Sequence, residues 1–104
     1  VTMTARALRE SGVTTVRSAS VPNYQDVALR DIAKSGFVIL PDVVATGVFV
    51  SPELGETITA DARLAPLAGG VRTPEQLRLL VQVNAARGVN WIKTRGTERA
   101  GLPD

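Results

Sequence analysis

The sequence contains neither cysteine nor histidine. Without cysteine there is no disulfide, no thiolate zinc site and no cysteine nucleophile. Without histidine there is no Ser-His-Asp triad and no histidine-based metal site within these residues. The lack of cysteine also fits a reducing compartment. We therefore expect a cytoplasmic protein whose own residues exclude the commonest nucleophilic and zinc-binding arrangements.

Aromatic residues are few, with one tryptophan, one tyrosine and two phenylalanines among 104 residues. They are not interleaved with basic residues, and the net charge of +2 is small, so no nucleic-acid stacking surface is evident. No apolar run approaches the roughly 18 residues of a membrane span, and the N-terminus does not resemble a signal peptide. We expect no nucleic-acid partner and no membrane partner, and a homo-oligomer stays an open alternative.

The length allows at most one domain, residues 1–104. The sequence opens on Val1 rather than methionine, and it closes at residues 101–104 within a polar stretch that has no closing element. A valine-reading start codon would explain only the first of these two observations. We therefore interpret the chain as a single domain that is truncated at both ends.

One plan occurs three times along the chain: a helix, a glycine, an apolar or β-branched run, and a polar loop. The predicted helices cover residues 2–11, residues 24–35 and a segment from Pro74 to Gly88, and the predicted strands cover residues 13–16, 43–46 and 89–92. The glycines that end the helices are Gly12, Gly36 and Gly88. Strands that alternate with helices predict a parallel sheet and the α/β class.

The predicted helices have recognisable starts. Thr73 and Gln76 form a capping box around Pro74, which is favoured at the first helical position, and Asn23 is the expected cap of the second helix. The expected buried positions are Val27, Ala28, Ile32, Ala33, Leu79, Leu80, Val83 and Ala86. Residues 51–72 are rich in proline, glycine and polar residues, with one short helix near 60–64. A loop of that length is typical of a binding element, a lid or an insertion.

Ligands of parallel α/β sheets bind at the carboxyl ends of the strands. The candidate positions are therefore Arg17 and Ser18, residues 46–51, and residues 93–95. Lys93 stands where the last apolar run stops. Taken alone, a lysine there is more often a solvated charge than a ligand, and Arg17 or Arg95 more often reaches solvent than an anionic substrate.

Two further sets of side chains have simple structural interpretations. Glu53, Glu56 and Asp61 resemble metal ligands in type, but their spacing fits no known site, so a solvated loop is the expected state. Trp91 is expected to pack between the sheet and the helices rather than to bind substrate.

Four segments occur in an order that is typical of one superfamily. They are Gly12-Val13-Thr14-Thr15-Val16-Arg17, Asp26-Val27-Ala28-Leu29-Arg30-Asp31, Ala45-Thr46-Gly47, and Gly88-Val89-Asn90-Trp91-Ile92-Lys93. Together they span almost the whole chain. They resemble the amidohydrolase superfamily of metal-dependent hydrolases, in the branch similar to imidazolonepropionases and to certain prolidases and dipeptidases.

The resemblance implies a (β/α)₈ TIM-type barrel of which this chain carries roughly strands 2 to 4. It also implies a divalent metal, zinc foremost, with one or two ions in the complete enzyme. The family's ligands are His-x-His after the first strand, a lysine after the fourth, two later histidines and an aspartate. Only the lysine falls in this sequence, at Lys93, and in two-metal members it is carbamylated. The implied activity is hydrolysis of a C–N bond in a small amide, cyclic amide or dipeptide-like substrate by a metal-activated water.

The chemistry of a carbamylated lysine sets a condition on Lys93. An ammonium cannot bind a cation or attack CO₂, so the side chain, with a free pKa of about 10.4, must react in its neutral form. Burial or a neighbouring metal ion favours that form. The two carbamate oxygens then suit ions about 3.5–4 Å apart. With one expected ligand, the isolated chain should not hold two metals or turn over substrate.

The sequence also departs from the family pattern. Many relatives carry an acidic residue where this chain has Ser18, and a Gly-Gly-His turn where it has residues 51–56, so the substrate class stays open. A second hypothesis is a non-catalytic α/β module or remnant that binds a partner at an exposed sheet edge. A third, for the fold, is a doubly wound open sheet, but the chain lacks the G-x-G-x-x-G turn.

Overall fold

The computed structural model describes residues 2–94, except for the side chain of Thr2, and shows a mixed α/β protein. The α-helices are α1 (Thr2–Glu10), α2 (Gln25–Ser35) and α3 (Pro74–Ala86), and the strands are β1 (Thr15–Arg17) and β2 (Asp42–Val44). Short 3-10 helices lie at Pro22–Tyr24, Gly55–Ala60 and Ala62–Leu67. Within residues 2–94, no helix is long and apolar enough to cross a membrane. The expected positions Val1, Arg95 and 96–104 lie outside the described residues.

The sheet is parallel, as the alternation of helices and strands predicts. Thr15 pairs with Asp42, Val16 with Val43 and Arg17 with Val44. The ladder is extended at both ends, because Asp42 donates its backbone N–H to Thr14 at 2.9 Å and Ser18 donates to Val44 at 2.9 Å. Helix α2 makes the connection between the strands and packs on β2. This β1–α2–β2 unit confirms the α/β class at the level of one crossover.

The predicted strand at residues 89–92 is wrong. The backbone N–H groups of Asn90 and Trp91 both point to the carbonyl of Ala45, at 2.8 and 3.3 Å, whereas successive N–H groups of a strand point to opposite sides. A single parallel bridge joins Val50 and Thr94, with Val50 N–H donating to the Lys93 carbonyl at 2.7 Å. The segment thus runs beside residues 45–50 without forming a ladder with them.

The tryptophan of this segment is also not where the sequence predicts. Trp91 is 66% exposed, because no described helix covers it, so the expected packing between sheet and helices is wrong. Ile92 is 38% exposed. A short apolar run therefore marks a surface segment here, not a buried strand.

The main core lies between α3, the two longer 3-10 helices and the segment that follows β2. Leu64, Leu67 and Leu80 are at most 1% exposed, and they pack with Tyr24, Val48, Val50 and Val83. The stretch 51–72 is therefore built into the core, and it contains two 3-10 helices instead of one short helix near 60–64. A smaller cluster joins α1, α2 and β2 through Ala5, Leu29, Leu40 and Val43.

Helix α3 begins as its sequence predicts. The Thr73 side chain accepts from Gln76 N–H at 3.2 Å, and the Gln76 side chain accepts from Thr73 N–H at 3.1 Å. This reciprocal pair satisfies two backbone donors that the helix leaves free. Leu80 and Val83 are buried and Leu79 packs against the core, whereas Ala86 is exposed.

Helix α2 departs from its sequence prediction in two ways. Asn23 does not cap it; Asn23 and Tyr24 both adopt left-handed backbone angles, with φ of 57° and 53°, and no side chain caps the helix. The apolar stripe is also rotated, since Ile32 is 42% exposed. Ala28 is exposed as well, while the polar residues Asp26 and Arg30 are buried. The hydrogen bonds of Asp26 and Arg30 decide which face of α2 turns inward.

Candidate functional site

The carboxyl ends of β1 and β2 meet the residue 91–93 segment around one cavity of about 140 Å³. Its lining residues are Arg17, Ser18, Ala19, Thr46, Trp91, Ile92 and Lys93. Four predicted rim residues are thus brought together: Arg17, Ser18, Thr46 and Lys93. Other predicted positions are not part of the cavity, since Val48, Val50 and Ser51 are buried elsewhere, and Arg95 lies outside the described residues.

The turn after β2 is held by a buried carboxylate. Asp26, 3% exposed, accepts from the N–H groups of Thr46 and Gly47 at 2.8 and 2.9 Å through one oxygen. Its other oxygen accepts from Val27 N–H at 2.9 Å in the first turn of α2, where a negative charge is favoured. Asp26 therefore fixes Thr46 at the cavity by joining its backbone to the start of α2.

Two of the lining residues, Ser18 and Thr46, carry hydroxyl groups. The Thr46 hydroxyl is 3.4 Å from both the Ser18 carbonyl and the Ser18 hydroxyl, which is long for a hydrogen bond. Ser20 N–H donates to the Ser18 hydroxyl at 3.2 Å. Because these contacts are weak, both hydroxyls keep capacity to bond a ligand.

Gly47 gives the same turn its tight geometry. Its φ of +65° disfavours any side chain, and an added Cβ would lie 2.7 Å from Val89 Cγ1 and 2.8 Å from Tyr24 Cε1. Beneath it, Asn84 on α3 is fully buried; its Nδ2 donates to the Val48 carbonyl at 2.7 Å, and its Oδ1 accepts from Val48 N–H at 3.3 Å. The Asn84 amide thus satisfies both backbone polar groups of Val48, as the backbone of a neighbouring strand would.

The segment that carries Lys93 is positioned by two polar side chains. Arg30, on α2, donates to the Gly88 carbonyl and, at 3.0 Å, to Asn90 Oδ1. The same Asn90 oxygen accepts from Ala45 N–H at 3.0 Å. Sequence reasoning missed Arg30, Asn84 and Asn90. Only Asn84 carried a sequence signal, because it is a polar residue beside Leu80 and Val83 on the face of α3 that is predicted to be buried.

The cavity carries two positive charges and no negative one. Arg17 and Lys93 are exposed, and neither side chain has a hydrogen bond or an ion pair to any residue in the 2–94 range. The carboxylate of Asp26, which holds the backbone of Thr46, is occupied by the three backbone donors already described. Lys93 is thus solvent-accessible and electrostatically uncompensated within this part of the protein.

The described lining residues do not form a metal site by themselves. Among residues 2–94, no group of three or more aspartate, glutamate, histidine or cysteine residues is placed to hold an ion. The cavity offers one amine, one guanidinium and two hydroxyls, and a divalent metal prefers carboxylate, imidazole or thiolate ligands. A metal here would need Lys93 in a modified form and further ligands from outside these residues.

The acidic residues of the 51–72 stretch have structural roles. Asp61, expected to be solvated, is buried, because its carboxylate accepts from Arg63 at 2.9 and 2.7 Å and from Arg87 at 2.8 Å. These bonds, with that from Arg63 N–H, hold the pKa of Asp61 far below its usual range. Glu53 is exposed and only approaches Arg72, at 3.8 Å.

Tyr24 connects this ion-pair group to the core. The Arg87 guanidinium lies 4.8 Å from the centre of the Tyr24 ring, a cation–π distance. Burial raises the pKa of the Tyr24 phenol, and the nearby Asp61 charge acts in the same direction. The stretch 51–72 is therefore anchored to α3 and to the short 3-10 helix that precedes α2.

Comparison of the chain with protein-family models, curated proteins and solved structures found no match. An assignment of function to this chain therefore comes from its residues, their geometry and the resemblance of the four segments.

Proposed function

We propose that this chain is part of a (β/α)₈ barrel, near its second to fourth strands, in a metal-dependent amidohydrolase that hydrolyses a C–N bond. The observation that carries the proposal is the convergence of Arg17, Thr46 and Lys93 on one cavity. Arg17 is the last residue of β1, Thr46 comes shortly after β2, and Lys93 follows residues 89–92. In (β/α)₈ enzymes the active site is built from residues at the carboxyl ends of the strands.

The arrangement of the chain supports this proposal. The β1–α2–β2 unit is the repeating unit of such a barrel, and its two strands are parallel. Helix α3 then leads to residues 89–94. Thr94, the last of these residues, forms a single parallel bridge with Val50. This segment therefore runs beside residues 45–50, which directly follow β2.

Lys93 is the residue that we assign to the metal centre. Its neutral amine would attack CO₂, form a nitrogen–carbon bond and release one proton, which leaves a carbamate with two oxygen ligands. The exposed position of the side chain gives CO₂ access to the amine. The remaining ligands, and the small amide or dipeptide-like substrate, belong to parts of the enzyme beyond these residues.

The reading frame on either side of this sequence tests the proposal. A His-x-His pair upstream, followed downstream by two histidines and an aspartate at strand ends, is the expected result. A reading frame that begins at Val1 and stops after Asp104, with a folded monomeric product, would contradict it.

The second candidate is a non-catalytic α/β module that binds a partner at its sheet edge. One observation favours it: among the described residues, β1 has β2 on one side and no strand on the other. Free backbone groups at an edge are a template for an added strand. Slow amide exchange in β1 of the isolated protein, at positions that face away from β2, would contradict a free edge.

A further inference from the structure

The two cations of the cavity differ from most others in the protein. Six arginines on the described part of the chain are each paired with a carboxylate: Arg6, Arg30, Arg63, Arg72, Arg78 and Arg87. Arg17 and Lys93 have no such partner within residues 2–94, yet both line the same cavity. Two uncompensated positive charges at one concave site create a local potential that attracts an anion.

The residues around Arg17 and Lys93 favour an anion from outside the protein over a carboxylate of the chain itself. The Ser18 and Thr46 hydroxyls are 3.4 Å apart, and the Ser18 hydroxyl also accepts from Ser20 N–H at 3.2 Å, so each hydroxyl can donate its proton to an anion. Asp26, beneath the turn, cannot serve as the counter-ion, because its carboxylate is 3% exposed and bonded to Thr46, Gly47 and Val27. The cavity lining thus has hydrogen-bond donors and positive charge without a carboxylate of its own.

The remaining lining indicates the shape of the ligand. Trp91, Ile92 and Ala19 form an apolar side of the cavity, and Trp91 is 66% exposed although it is a large apolar residue. A planar guanidinium fork matches a carboxylate, to which it can donate two parallel hydrogen bonds. A ligand with a carboxylate at one end and a small apolar body at the other uses both sides of the site.

We propose that this cavity binds a small organic carboxylate, with Arg17 donating to the carboxylate, Lys93 adding a second positive charge, and Trp91 covering the apolar body. This inference goes beyond the proposed function, because it concerns the chain with Lys93 as an unmodified ammonium. It requires neither a metal nor residues outside the described part of the chain.

The test uses the complete 104-residue protein and the fluorescence of Trp91, its single tryptophan. The probe is 3-methylbutanoate, and its neutral isostere 3-methylbutanamide is the matched control ligand. A saturable change in Trp91 emission with the acid, and none with the amide, is expected. Amide signals of Ser18 and Thr46, followed by NMR, provide a second readout that does not depend on the indole.

Variants identify the residues that bind. Arg17→Gln should weaken binding of 3-methylbutanoate at least tenfold, and Lys93→Met should weaken it by a smaller factor. Arg78→Gln and Lys34→Met, which remove exposed cations that do not line the cavity, should leave the midpoint unchanged. Circular dichroism of each variant checks that the fold is retained.

Several results would overturn the site. They are an equal response to acid and amide, an unchanged midpoint in Arg17→Gln, and no saturable change in either Trp91 emission or the two amide signals. Saturation by inorganic phosphate without saturation by 3-methylbutanoate would also overturn it, because the apolar wall would then play no part. Each of these results leaves the metal proposal standing, since metal retention by Lys93 is a separate measurement.

Discussion

The phenol of Tyr24 donates a hydrogen bond of 2.9 Å to Oδ1 of Asn84, a residue 60 positions further along the chain. Tyr24 is 3% exposed and Asn84 is fully buried, so the bond lies in the protein interior. It joins the N-cap residue of α2 to the last turn of α3. Asn84 also binds the backbone N–H and carbonyl of Val48. Its amide side chain therefore connects α3 with Tyr24 and with the segment that follows β2.

Replacement of Asn84 should therefore be costly. Asn84→Ala leaves the Tyr24 hydroxyl and the Val48 N–H and carbonyl without partners in the interior, and we expect a loss of about 2–4 kcal/mol in the free energy of unfolding. Urea denaturation of the variant beside Gln82→Ala, an exposed position on the same helix, measures this loss. A loss of the same size in both variants would contradict the role of Asn84.

Gly47 offers a comparison with another glycine. Gly47→Ala adds a Cβ 2.7 Å from Val89 and 2.8 Å from Tyr24 at a φ of +65°, whereas Gly36→Ala has a φ of +78° and no atom within 4 Å. The second variant should cost about 1–2 kcal/mol for the backbone alone. The first should cost about 1–3 kcal/mol more because of overpacking. Thermal unfolding of the pair checks the order, and an equal cost would show that the turn after β2 can relax.

Asp61 predicts a pH dependence of stability. Its pKa is lower in the folded than in the unfolded protein, so its contribution is present above the unfolded pKa of about 3.9 and is lost as the pH falls below it. The difference in unfolding free energy between the wild type and Asp61→Asn should be largest near neutrality and shrink from pH 5 to pH 2.5. Asp31→Asn, which removes an exposed acid, is the control. A difference that is constant over this pH range would contradict the Arg63 and Arg87 contacts.

Zinc content provides a further prediction. The purified 104-residue protein should retain much less than one zinc ion per chain after dialysis, because the described residues offer no carboxylate–imidazole cluster. Elemental analysis measures this quantity directly. Stoichiometric, tightly held zinc would mean that these residues form a complete site.

Local signals in the sequence predict the elements that depend on backbone geometry. Thr73 and Gln76 form the expected capping box, and Gly12, Gly36 and Gly88 all have positive φ. The convergence of Arg17, Ser18 and Thr46 follows from the parallel order of β1 and β2, whereas Lys93 reaches the same cavity on a segment that is not a strand. These features depend on a few neighbouring residues or on one general rule of topology, so the sequence contains enough information.

The features that the sequence did not predict depend on contacts between distant residues. The polar side of α2 faces inward because it finds hydrogen-bond partners there. Asp26 accepts from the N–H groups of Thr46 and Gly47. Arg30 donates to the oxygens of Gly88 and Asn90. Periodicity of apolar residues cannot reveal such partners. The apolar run at residues 89–92 predicts a buried strand, but such a run is buried only where another layer of the protein covers it. Within residues 2–94, no helix covers Trp91.

Metal retention by the product of the complete reading frame tests the central claim, the role of Lys93, most directly. We predict one or two divalent ions per chain in the wild type, a loss of at least one ion in Lys93→Ala, and full retention in the control Lys34→Ala. Full retention of the metal by a folded Lys93→Ala protein would contradict the assignment of Lys93 as a ligand.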